Sequence, residues 1–251
     1  MIAVILALLL PKQWEAYTTL RMGRLPLEKD EYKLIEDPAQ TVERIKLNEF
    51  KEMIISDLNV PTTDKNYNKR TGLITKSLKG SVIPNTDFIN LSIRGLNQQD
   101  ALKALHTTVN EIKAAHAAIS NPLKIRVEQE LKATTENLAS NSIELATLKN
   151  KIEPSNVYKT VAGFSQTIVA IKLLTDTEKN HQSLKNQQII STARLAAFDE
   201  QATKQVSAIT VSKNPVFPKL NIFLLIGALF GLLTGVLVAI FKYEDPADKK
   251  A

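Results

Sequence analysis

Apolar residues crowd the two ends of this chain and recur at regular spacings between them. From Leu220 to Phe241 runs a 22-residue segment bracketed by Lys219 and Lys242, in which only Asn221 and Thr234 are strongly polar. As a helix it would be about 33 Å long, enough to cross a hydrocarbon core of about 30 Å. It is apolar on every side, unlike a helix that buries one face in a soluble core. The pattern predicts a transmembrane helix over 220–241 and a short tail over 242–251. Within it, "GALFGLLTG" sets Gly227, Gly231 and Gly235 four residues apart, on one face that drifts by about 40° per step. Small residues at that spacing admit a neighbouring helix closely, although glycine is also common in membrane helices generally.

At the other end, Met1–Leu10 is apolar and is followed by Pro11 and Lys12. Ten residues do not span a bilayer, and Pro11 and Lys12 stand where a secretory signal would carry its small-residue cleavage site. The expectation is a partial first transmembrane helix over 1–10, the outer half of a span whose beginning is missing from this sequence. Two spans with residues 11–219 between them make a hairpin with both termini on one side.

The periodicities of that middle region predict both strands and helices. Ala16–Met22 has the β-branched and aromatic content of a strand. Val42, Ile45, Phe50, Met53 and Ile54 give one helical face from Thr41 to Leu58, with Pro38 just before it. Residues 59–72 read as loop, and Leu73–Ile83 as a strand pairing with Asp87–Gly95. In the latter, Ile89, Leu91 and Ile93 alternate with Asn90, Ser92 and Arg94. A helix capped by Asn97 follows, with Asp100 in its first turn and Leu102, Leu105, Val109, Ile112 and Ile119 as its seam. Pro122 interrupts this helix without necessarily ending it. Beyond it the spacing is heptad-like: Leu131, Leu138, Leu145 and Ile152 on one row, Val127, Thr134, Asn141 and Leu148 on the other.

Pro154 and Gly163 mark a reversal. Phe164–Asn214 contains neither Gly nor Pro, which suits a second helix of about 40 residues. Its stretch 175–188 has one apolar residue, Leu184, and is expected to be solvated or to face a partner. Gln205–Lys219 reads as a returning strand, with Pro215 and Pro218 stiffening the lead into the last span. The fold class expected is an α+β membrane protein. It has a small membrane-proximal α/β body and a long coiled-coil-like helical arm (about 97–204), set between two transmembrane helices of which the first is truncated.

Charge and chemistry narrow the picture. The net charge of +6 falls wholly between Lys12 and Lys219 and is spread along the chain, without the basic runs and interleaved aromatics of a nucleic-acid groove. Cysteine is absent, which removes disulfides, thiol nucleophiles and Cys-ligated metals. His106, His116 and His181 have no carboxylate at metal-ligand spacing and read as packed or solvated side chains. "DKNYNK" begins like a calcium loop, but Lys69 replaces its glycine and Thr75 its closing glutamate. There is no P-loop, "GFSQT" lacks the second glycine of a nucleophile elbow, and no S-x-x-K occurs. Neither a catalytic residue, a cofactor nor a metal is expected.

The order of these features resembles a known family. "LLLPKQWEAYTTLRMG", "LIEDPAQTVERI", "INLSIRGLNQQDALKALHTTVNEI" and "NPVFPK" feeding a glycine-bearing last span are similar to successive blocks of the Wzz-type chain length determinant family. The resemblance implies a polysaccharide co-polymerase of the bacterial inner membrane, two-pass, with both termini cytoplasmic and the main domain periplasmic. It further implies a homo-oligomer that sets the modal length of a polymer, usually lipopolysaccharide O-antigen. Its partners would be the membrane polymerase, undecaprenyl-pyrophosphate-linked glycan and the lipid bilayer, with no catalytic residues of its own. No kinase domain follows the last span, which disfavours the kinase-fused branch serving capsules. Two other classes stand beside this one: a periplasmic coiled-coil adaptor of a transport or secretion complex, and a membrane-anchored hydrolase.

Overall fold

The computed structural model describes residues 10–27, 31–152 and 161–243. In chain order the elements are β1 (Trp14–Arg21), β2 (Arg24–Pro26), β3 (Tyr32–Leu34), α1 (Pro38–Lys46), α2 (Asn48–Asp57) and α3 (Tyr67–Ser77). They continue as β4 (Lys79–Val82), β5 (Phe88–Gly95), α4 (Gln98–Ile152), α5 (Val161–Glu200), β6 (Lys204–Gln205), β7 (Thr210–Val211) and α6 (Leu220–Tyr243). They divide into two units. One comprises residues up to Arg21, Asp37–Ile112 and Gln205 onward; the other comprises Met22–Glu36 and Lys113–Lys204. The partial first span expected over 1–10 lies, but for Leu10, outside the described residues, as does most of the tail.

The first unit is built on an antiparallel sheet of order β4-β5-β1-β6, with β7 also pairing with β1. β1 and β5 pair along their whole length, from Trp14↔Gly95 to Arg21↔Phe88. Because side chains alternate across a strand, that register places Ala16, Thr18, Leu20, Ile89, Leu91 and Ile93 on one buried face. Each fully buried aliphatic side chain there contributes about 1.5–3 kcal/mol. The opposite face carries Glu15, Tyr17, Thr19, Asn90, Ser92 and Arg94. α1 lies against β4 and α3 against β5. Gly95 is required where β5 turns into α4, because a Cβ there would collide with the backbone nitrogen of Ala101.

Three elements differ from expectation. The helix over 41–58 is two helices: α1 starts at Pro38, capped by Asp37, whose Oδ1 accepts from the Ala39 N–H at 2.7 Å, and Leu47 is extended between α1 and α2. The loop over 59–72 ends at Asn66, since α3 occupies Tyr67–Ser77. The strand expected over 73–83 is correspondingly shortened to β4, which does pair with β5. In α4, Leu102 and Ile119 are 41% and 49% exposed, while Ala101, Ala104, Leu105, Thr108, Val109 and Ile112 are buried. Close approach of the helix favours alanine over the bulkier leucine on that face. The Asn97 cap is present, its Oδ1 accepting from the Asp100 N–H at 2.7 Å.

In the second unit α4 runs unbroken through Pro122. Beyond Arg126, its shielded residues are Val127, Leu131, Thr134, Leu138, Asn141, Leu145, Leu148 and Ile152, while every position between them is exposed. α5 shields Ala170, Leu174, Thr177, His181, Leu184, Gln188 and Ser191 at the same spacing. Lys124–Asp199 at 2.8 Å, Thr135–Gln188 at 3.2 Å and Lys149–Glu178 at 3.1 Å show the two helices running antiparallel. The polar stretch 175–188 is thus part of the seam, through Thr177, His181, Leu184 and Gln188. The reversal expected at Pro154–Gly163 lies outside the described residues over 153–160.

The segment before α6 returns to the sheet as β6 and β7. Val206 N–H donates to Thr19 O at 2.9 Å, and the Thr18 hydroxyl donates to Ser207 O at 2.7 Å.

Candidate functional site

Three groups of residues are candidates. The first is α6. Over Asn221–Ile240 it is long and apolar enough to cross a membrane, and none of it is buried among the described residues. A Cβ added at Gly231 or Gly235 would meet nothing within 4 Å. Among the described residues no helix lies against Gly231 or Gly235, the two later positions of the Gly227, Gly231 and Gly235 face.

The second group surrounds Pro215 and Pro218. The Gln13 N–H donates to Phe217 O at 3.0 Å and the Val216 N–H to Gln13 O at 2.8 Å. Proline has no N–H, so the pairing runs through the residues beside the two prolines. The Phe217 ring meets Phe223 of α6 edge-on, with centroids 6.4 Å apart. The segment after Pro11 and the segment before α6 are thereby stitched together.

The third group was not legible in the sequence. His116, on α4, is 2% exposed. Its Nδ1 lies 2.5 Å from Thr203 Oγ1, and its Nε2 lies 2.9 Å from Glu36 Oε2. Thr203 Oγ1 also accepts from the Gly23 N–H at 3.0 Å. Gly23 N–H donates to the Thr203 hydroxyl, and the imidazole bridges that hydroxyl to the Glu36 carboxylate, with donor and acceptor roles set by the ring's tautomer. Gly23 is obligatory here, because a Cβ would come within 2.8 Å of both Thr203 and Ile35.

Hydroxyl, imidazole and carboxylate in series are also the parts of a hydrolytic triad. Here the Thr203 oxygen also accepts from the Gly23 N–H, and the arrangement is a latch tying 22–36 to α4. His116 is a packed histidine, as its sequence context suggested. Its carboxylate partner comes from 80 positions away, where no spacing rule could find it. His106 is exposed beside Asn110, and His181 sits in the helical seam. Among the described residues no three His, Cys, Asp or Glu side chains converge as a metal site.

Beside the latch lies a recess of about 300 Å³, bordered by Lys113, Ser120, Asn121, Lys124, Phe198 and Lys204 among others. Asp199 is engaged by Lys124 at 2.8 Å. That hydrogen bond, together with the charges of Asp199 and Glu128, holds the Lys124 ammonium above its ordinary pKa.

No protein-family model and no curated protein sequence matches this chain. Solved structures do. Its structural neighbours are polysaccharide co-polymerases. A full-length bacterial polysaccharide co-polymerase is 8% identical at a TM-score of 0.32, covering 99% of this chain and 93% of its own. A fragment of WzzB, the polysaccharide co-polymerase from Salmonella Typhimurium, is 11% identical at 0.31, covering 82% of this chain and 100% of its own. A point mutant of WzzBSF, the lipopolysaccharide O-antigen chain-length regulator of Shigella flexneri, is 8% identical at 0.22, covering 82% and 99%.

Proposed function

We propose that this chain is a non-enzymatic, oligomeric co-polymerase that regulates the modal length of a lipid-linked surface polysaccharide, lipopolysaccharide O-antigen in the first instance. It acts with the membrane polymerase on undecaprenyl-pyrophosphate-linked glycan. The reading places the chain in the bacterial inner membrane as a two-pass protein, termini in the cytoplasm and the 11–219 domain in the periplasm.

The observation that carries it is the Gln13–Phe217 bridge, because it joins the two sequence blocks, "LLLPKQ" and "NPVFPK", that most resemble the chain length determinant family. A bridge there suits a hairpin whose two apolar ends enter the bilayer side by side. Oligomerisation is supported by the apolar side chains that α4 and α5 leave exposed, among them Ile143, Val169, Ile189 and Ile190 at 59–70% exposure. The glycine face of α6 is offered as a second packing surface, between membrane helices.

Deletion of the gene is expected to change the length distribution of surface glycan while synthesis continues, and complementation to restore it. Unchanged banding on a lipopolysaccharide gel would reject the reading. The long antiparallel helices would also suit a periplasmic adaptor of a transport complex. Such adaptors insert a β domain between their helices, and only residues 153–160 separate α4 from α5. A copurifying transporter with normal glycan length would favour the adaptor.

A further inference from the structure

The recess beside the latch has the composition of a ligand site. Its volume of about 300 Å³ is at the lower end of small-molecule pockets, the range that holds one sugar-sized ligand. Three lysines line it, Lys113, Lys124 and Lys204, against one acid, Asp199. The carboxylates nearby are already committed: Asp199 to Lys124, and Glu36 to His116. Lys113 and Lys204 form no ion pair among the described residues, so the lining carries two positive charges that no carboxylate neutralises. The same lining holds a hydroxyl and an amide, Ser120 and Asn121, and an apolar ring, Phe198. The wall behind is held in place by the Gly23–Thr203–His116–Glu36 chain of hydrogen bonds, so the site is preorganised rather than assembled on binding.

We propose that this recess binds an anionic sugar unit, its phosphate or carboxylate held between Lys113 and Lys204 and its hydroxyls bonded by Ser120 and Asn121. The ammonium pair supplies the affinity for charge, since charge-assisted hydrogen bonds are the strong ones. The hydroxyl and amide supply the preference for a saccharide over a bare ion. That the sugar belongs to the glycan under length control rests on the function proposed above; the binding itself rests on the recess alone.

The test is calorimetric titration of the full chain in detergent micelles with glucose 1-phosphate, glucuronate, glucose and inorganic phosphate at one ionic strength. Saturable binding of the two anionic sugars, with none of glucose, is expected. Lys113→Gln and Lys204→Gln should each weaken it about tenfold, the scale of one lost charge-assisted contact, and Lys→Arg at either position should retain most of it. On the unsubstituted chain, NMR of reductively methylated lysines should show Lys113 and Lys204 shifting with the anionic sugars, which frees the test from any folding defect in the variants. Absence of binding, equal binding of glucose, equal binding of inorganic phosphate, or lysine signals that do not move would each overturn the proposal. Anionic-sugar binding by a chain whose deletion leaves glycan length unchanged would uphold the site and reject the function.

Discussion

Gln13 and Phe217 form an antiparallel bridge between two segments more than two hundred residues apart, its hydrogen bonds 2.8 and 3.0 Å long. Directly opposed residues of such a bridge have Cα atoms about 4.5–5.5 Å apart, within disulfide range. Because the chain has no cysteine, Gln13→Cys with Phe217→Cys introduces a single possible disulfide. It should form on mild oxidation in membranes and shift the mobility of the unreduced protein. Single cysteines at either position should also label from the same side of the membrane with an impermeant reagent. Labelling from opposite sides would refute the two-pass hairpin.

Glu111 of α4 and Asp57 of α2 face each other as a carboxyl pair. The hydrogen bond to Asp57, then burial, then the Asp57 charge raise the Glu111 pKa above its ordinary value. A carboxyl whose pKa rises on folding binds its proton more tightly in the folded state. Its contribution is therefore present at acid pH and lost as pH rises through the folded value. Glu111→Gln should raise the melting temperature at about pH 7.5 and change it little at about pH 4.5. The gain will be small, since both groups face water. Melting curves across that range test the sign, and a difference that shrinks as pH rises would contradict it.

Thr203→Val removes the acceptor of the Gly23 N–H and the partner of His116 Nδ1 in one step. Leaving a buried donor without a partner costs about 1–3 kcal/mol, so a clear loss of thermal stability is expected. Gly23→Ala should destabilise through collision with Thr203 and Ile35. The double variant should lose less than the sum of the two, because both break one contact. Strict additivity in denaturant unfolding would mean that the latch does not act as a unit.

Asn141 is 6% exposed on the seam face of α4, and its Oδ1 has no hydrogen-bond partner among the described residues. Asn141→Leu should therefore stabilise the helical pair, by about 1 kcal/mol or more. A polar residue at such a position holds register, so the same change should broaden alignment. Cysteines at 149 and 178, now bridged as Lys149–Glu178, should crosslink less selectively against neighbouring positions in the Asn141→Leu background. Unchanged stability together with unchanged selectivity would show that Asn141 plays neither part.

Gly231→Leu should leave membrane insertion intact while disturbing assembly or glycan length. Native electrophoresis beside a lipopolysaccharide gel reads both, and no change in either would make the glycines filler.

Local rules made part of this molecule readable. Ile89, Leu91 and Ile93 alternate in the sequence as they alternate across β5, and the heptad rows of α4 are the rows it buries. α3 escaped because it carries few helix signals. Asn66 makes no side-chain cap, Gly72 sits inside it, and Thr71 and Thr75 bond back to Tyr67 O and Thr71 O, a habit that favours turns as readily as helices. Leu47 breaks the helix between α1 and α2 without a glycine or proline to announce it. The latch depends on Gly23, Glu36, His116 and Thr203 meeting in space, which no window along the chain contains. The recess it braces was hidden for the same reason.

The seam between α4 and α5 interleaves its leucines with hydroxyls, amides and an imidazole: Thr134, Asn141, Thr177, His181, Gln188 and Ser191. Leucine against leucine adheres almost equally well after a slip of seven residues; these side chains do not. Their positions act as graduation marks on a ruler, since a slip would set each against a leucine. Lengthening one helix by a heptad without the other would leave the marks misread along the whole distance, so any change in the reach of this arm has to be made in both helices at once.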